Sequence, residues 1–85
     1  MIENAEIYKE KLTNLQTDIG ESHLGFRECM DSTIRFLGKS EPYLNRMEIT
    51  CTQYWVDKLI QQLKDIQYEL DDIRAELSDE INRSI

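Results

Sequence analysis

From Ala5 onward, apolar or small residues return at alternating spacings of three and four: Ala5, Tyr8, Leu12, Leu15, Ile19, Ser22, Phe26, Cys29, Thr33 and Phe36. A mean spacing of 3.5 residues holds one stripe on one side of an α-helix and predicts lengthwise packing on another helix. A strand would need alternation by two over a short run, and no such run occurs. A second stripe of the same kind follows: Leu44, Met47, Cys51, Tyr54 with Trp55, Leu59, Leu63, Ile66, Leu70, Ile73, Leu77 and Ile81. Neither glycine nor proline interrupts it.

Gly38-Lys39-Ser40-Glu41-Pro42 separates the two stripes. Glycine suits the position just past a helix end, serine suits an N-cap, and proline is tolerated in a first helical turn. The expectation is one all-α domain over residues 1–85, a long antiparallel helical hairpin. Its first helix covers about 3–37, its turn about 38–41 and its second helix about 41–82. Gly20 and Gly25 each cost about 1 kcal/mol relative to alanine. Asp18 and Glu21 have the spacing of a capping box. The first helix therefore either runs through this region, kinked or straight, or breaks near Gly20 and refolds into a compact three-helix monomer.

A turn centred near residue 40 fixes the register independently of the stripes. Facing residues should have numbers summing to about 80, which sets Cys29 beside Cys51. The same register sets Phe26 beside Tyr54 or Trp55, Leu15 beside Ile66 and Tyr8 beside Ile73. Each arm then buries one stripe, which is thin support for helices roughly 50 and 60 Å long. Leu24, Met30, Ile34 and Leu37 on the first arm, with Ile49, Val56 and Ile60 on the second, lie off the main seam. They form a candidate interface for a four-helix bundle, made with a second copy or with another helical chain.

Composition narrows the partners. Eighty-five residues bury only about 60% of their unfolded surface, so a lone core leaves a small stability margin. A net charge of −7 and a pI near 4.6 weigh against nucleic acid or an anionic membrane and favour a protein partner. A homo-oligomer, a dimer first, is the expectation. No apolar run approaches the roughly 18 residues of a membrane span. The first residues lack the basic and apolar regions of a signal peptide, which predicts a cytoplasmic protein with leaderless export left open.

Candidate chemistry is sparse. His23 is the only histidine, and zinc sites want paired ligands at short spacing, so no metal or cofactor is expected. Cys29 and Cys51 are a candidate thiol pair, either a staple between the arms or two small apolar side chains filling a narrow layer. Phe26, Phe36 and Tyr54-Trp55 read as core, with one of Tyr54 and Trp55 free for an interface. Asp65, Glu69, Asp71, Asp72, Glu76, Asp79 and Glu80 make an acidic stretch that Arg74 alone relieves. Of these, Asp65, Glu69, Asp72, Glu76 and Asp79 are the candidate docking face for a basic groove, against the plainer reading of a solvated helix side. Acids near a helix C-terminus oppose its dipole, so folding gives no reason for them.

Phe36-Leu37-Gly38 at the turn and Tyr68-Glu69-Leu70-Asp71-Asp72 near the end carry a layout that resembles the small secreted hairpins of the WXG100 class. Members of that class are often acidic and leaderless, with Trp-x-Gly at the turn and Tyr-x-x-x-Asp in the tail. The turn tryptophan is replaced here by Phe36, and two cysteines are added. The function expected from the residues is a non-enzymatic helical interaction module. An acidic inhibitor or nucleic-acid mimic, and a WXG100-like secreted hairpin, stand as alternatives.

Overall fold

A computed structural model describes residues 4–84. Two helices, α1 (Ala5–Phe36) and α2 (Pro42–Arg83), lie antiparallel in a hairpin 65 Å long and 18 by 13 Å across. Among the described residues there is no strand. α1 is unbroken through Gly20 and Gly25, which removes the three-helix alternative. Gly20 has open space where a Cβ would be, whereas a Cβ on Gly25 would lie 2.6 Å from Cε2 and Cζ2 of Trp55. The second glycine is therefore a seat for the indole rather than a break.

The turn is held by a side chain that belongs to neither apolar stripe. Gly38 adopts φ +77°, the left-handed conformation glycine tolerates, and its N–H donates to Asn45 Oδ1 at 2.8 Å. Asn45 Nδ2 donates back to the Phe36 carbonyl at 3.2 Å. One buried amide thus gives the Gly38 N–H its partner and adds a donor to the Phe36 carbonyl, which also accepts the N–H groups of Lys39 and Ser40. Ser40 is not the N-cap of α2. Glu41 occupies that position without a side-chain bond, and Pro42 starts the helix, where its missing N–H costs nothing.

The seam on α1 is the expected one. Ala5, Tyr8, Leu12, Leu15, Ile19, Ser22, Phe26, Cys29 and Thr33 are buried or half-buried, and only Phe36 at the end turns outward. On α2 the seam differs from the expected stripe. The inward residues are Asn45, Glu48, Thr52, Trp55, Leu59, Gln62, Ile66, Glu69, Ile73, Glu76 and Glu80. They keep the alternation of four and three but share only Trp55, Leu59, Ile66 and Ile73 with the apolar stripe. Leu44, Met47, Cys51, Tyr54, Leu63, Leu70, Leu77 and Ile81 are exposed.

The rotation has a cause near the turn. Asn45, bonded across to α1, fixes the inward direction at the start of α2. Thr52, Leu59, Ile66 and Ile73 follow at seven-residue steps, nearly two full turns each. Trp55 over Gly25 and a Thr33–Thr52 hydroxyl contact at 3.2 Å hold the same rotation. No apolar residue among those described is buried, whereas Ser22, Asn45 and Thr52 are.

Candidate functional site

The rotation of α2 divides the hairpin into two unlike flanks. Along one flank run three shallow grooves between the arms. Lys11, Asn14 and Leu15 face Asp65, Tyr68 and Glu69; Asp18, Glu21 and Ser22 face Trp55, Lys58 and Gln62; Glu28, Cys29 and Ser32 face Glu48 and Cys51. Cys51, Lys58 and Asp65 recur at intervals of seven on this side, and Asp72 and Asp79 continue the row, exposed. This is the acidic flank.

On the other flank of α2, Ile49, Val56, Leu63, Leu70 and Leu77 also recur every seven residues, 37–56% exposed. Such a column stays on one face of the helix. The neighbouring column, Arg46, Gln53, Ile60, Gln67, Arg74 and Ile81, contains no acid either. In an antiparallel pair the matching flank of α1 is the side opposite its groove residues. It carries Met30, Ile34 and Leu37 near the turn, with Lys9, Gln16, His23 and Arg27 beyond.

Six of the seven candidate interface residues (Met30, Ile34, Leu37, Ile49, Val56 and Ile60) therefore share one flank. Leu24 does not: it stands 58% exposed on the outer side of α1. Leu63, Leu70 and Leu77, expected in the seam, extend the apolar flank instead. An unbroken seven-residue row of aliphatics with no acid beside it was the sequence signal for them.

The candidate acidic face is also divided. Asp65, Asp72 and Asp79 are exposed, but Glu69 and Glu76 turn into the seam. Glu76 Oε1 accepts the Tyr8 hydroxyl at 2.6 Å, and Glu69 Oε1 lies 3.7 Å from Lys11 Nζ. The hydrogen bond to Glu76, with burial and the nearby carboxylates, pushes the Tyr8 hydroxyl up to about 12. Seven-residue repetition put the five acids on one stretch of chain, and the rotation of the helix separated them.

Cys29 and Cys51 meet as the register requires, both free, with their Sγ atoms 2.6 Å apart. Cys51 is exposed and Cys29 half-buried. The contact with Cys51, then burial, then the charge of Glu28 raise the Cys29 thiol above its ordinary value, while a hydrogen bond from Trp55 works the other way. Trp55 packs edge-on against Tyr54 at 5.3 Å, with the Lys58 ammonium 5.1 Å from its ring centre. His23 is exposed, and its ring centre lies 6.5 Å from that of Phe26. Among the described residues no three His, Cys, Asp or Glu side chains gather as a metal site, and no helix is long and apolar enough to cross a membrane. Comparison with protein-family models, curated proteins and solved structures finds no match, so the geometry of the two flanks is what bears on function.

Proposed function

We propose that this chain is a non-enzymatic helical interaction module whose apolar flank receives a second copy of itself, giving a four-helix assembly. The observation that carries the reading is the column Ile49, Val56, Leu63, Leu70 and Leu77, left in solvent while glutamates occupy the seam.

Three features favour a second copy. The column is symmetric about Leu63, so an antiparallel pairing about a two-fold axis sets Ile49 against Leu77 and Val56 against Leu70. Each contact then joins a β-branched residue to a leucine of similar size. The flank is also nearly free of acids. On the two outer columns of each arm the charged residues are Lys9, Arg27, Arg46, Arg74 and Glu6, in a chain of net charge −7. Two copies can meet there without opposing carboxylates. Finally, a strip about 42 Å long and about 18 Å wide covers roughly 750 Å² per partner, close to a standard specific interface.

The alternative of an acidic module for a basic groove is weaker, because Glu69 and Glu76 are engaged within the hairpin. Sedimentation velocity between about 1 and 100 µM tests the proposal. The wild-type chain should sediment as a dimer. Leu63→Asp, placed on the two-fold axis, should weaken association at least ~100-fold, about 3 kcal/mol, with helicity retained. Leu24→Asp, on the outer side, should leave association unchanged. A folded wild-type monomer at ~100 µM, or equal effects of the two substitutions, would overturn it.

A further inference from the structure

We propose that Cys29 and Cys51 form a disulfide-forming site, closed across the hairpin by a small disulfide oxidant of neutral or positive charge. The site lies on the groove flank, away from the apolar column, and does not depend on self-association.

Three observations carry this. The two sulfurs lie 2.6 Å apart, against about 2.05 Å in a disulfide bond, so closing the bond asks for a side-chain adjustment of about half an ångström. The placement is also fixed by features outside the pair. The Asn45 turn sets the register on one side, and Trp55 seated on Gly25 sets the approach of the arms on the other. Finally, the two thiols differ in access. Cys51 is exposed and open to attack on a reagent, while Cys29 is half-buried behind it and placed to resolve the product.

The chemistry is an exchange in two steps. The Cys51 thiolate attacks one sulfur of the oxidant, forming a mixed disulfide and releasing one thiolate. Cys29 then attacks Cys51 Sγ, forming the internal bond and releasing the second thiolate. The two cysteines lose two electrons, the oxidant gains them, and the two thiol protons end on the released thiols. Charge selects the oxidant. The groove around the pair is lined by Glu28, Ser32 and Glu48, with no base. Glu48 Oε2 is buried there with no hydrogen-bond partner among the described residues. An anionic disulfide is repelled at this mouth, and a cationic one is drawn to it.

The test uses the full chain with cystamine, a dication, and with glutathione disulfide, an anion. With cystamine both thiols should disappear together. The chain should become lighter by two hydrogens, with Cys29 and Cys51 joined in a non-reducing peptide map. Emission from the only tryptophan, Trp55, should change in step with the bond. Cystamine should react roughly 10-fold faster than glutathione disulfide at low salt, after each rate is normalised to a thiol in an unfolded peptide. That ratio should shrink at high ionic strength and in Glu28→Gln/Glu48→Gln. In Cys29→Ser, Cys51 should stop at the mixed disulfide. The same internal bond should form in Leu63→Asp, which keeps the reaction distinct from cross-linking between copies. Accumulation of mixed disulfides on the wild-type chain, or bonds only between chains, would overturn the site. Equal normalised rates for the two probes would overturn the charge selection.

Discussion

The half of the hairpin near the turn and the half far from it are joined in different ways. Near the turn small or short polar groups, Ser22, Gly25, Cys29, Thr33, Asn45 and Thr52, make up most of the seam, with Phe26, Glu48 and Trp55 among them. The three buried residues among those described, Ser22, Asn45 and Thr52, lie there. The arms come close, hydrogen bonds join Asn45 to the backbone of Phe36 and Gly38 and Thr33 to Thr52, and large apolar residues such as Ile34, Leu37 and Ile49 are left outside. In the far half the seam alternates Leu15, Leu12 and Tyr8 with Glu69, Ile73 and Glu76, and long polar side chains span it. Close approach without much apolar area specifies alignment more than it supplies stability. The near half thus sets register and rotation, and the far half inherits them.

The sharpest way to break the comparison is at Gly25. Valine there would drive its Cβ into the Trp55 ring, and the arms or the indole must yield. Overpacking of this kind costs about 1–3 kcal/mol, more than the roughly 1 kcal/mol that removing a helical glycine returns. Thermal denaturation should show Gly25→Val as clearly destabilised. Gly20→Ala, with open space around it, should be stabilised by up to about 1 kcal/mol. If both substitutions stabilise, the close approach at Trp55 does not govern the near half.

Asn45→Ala comes next in size. It leaves the Gly38 N–H without the partner it has now and removes one of the three donors to the Phe36 carbonyl, and such losses cost about 1–2 kcal/mol. The more telling readout is rotation. With Asn45 gone, α2 is free to turn its leucine column toward α1. Cysteine cross-linking from Leu63 and from Gln62 to α1 would report which faces inward. Unchanged preference for Gln62 would mean that the turn does not set the rotation.

This rotation marks the boundary of what the sequence made legible. Two helices, their antiparallel order, the register and the meeting of Cys29 with Cys51 follow from spacing and from one turn signal, because those are local and periodic properties. The rotation of α2 does not. A heptad stripe and its neighbour one position along have the same period, and apolarity alone favours the wrong one: Leu63, Leu70 and Leu77 over Gln62, Glu69 and Glu76. The choice is made by Asn45, which reaches across the turn to Gly38 and Phe36, and by the fit of Trp55 to Gly25 on the other arm, and neither contact is a property of the period. The same blind spot joined Glu69 and Glu76 to a surface from which the fold removes them. It also assigned to the seam the leucines that lengthen the apolar flank.

The smallest effect belongs to the far half, at Tyr8. Its hydroxyl donates to Glu76, and ionising it would set a phenolate beside Glu76, Asp72 and Glu69, which is why it titrates only near pH 12. Its folded value lies above the unfolded one, near 10. The stabilisation is therefore whole below about pH 10 and is lost as the pH rises from there toward 12. Tyr8→Phe should lower stability slightly at neutral pH. The gap from wild type should close through that window, and the ionisation near pH 12 should vanish from the absorbance titration. Hydrogen exchange should quicken at the far end of both arms and stay as it was around Asn45, because the two halves are held by separate contacts. Faster exchange at the turn as well would mean that the far half helps to set the alignment, and the division between the halves would fail.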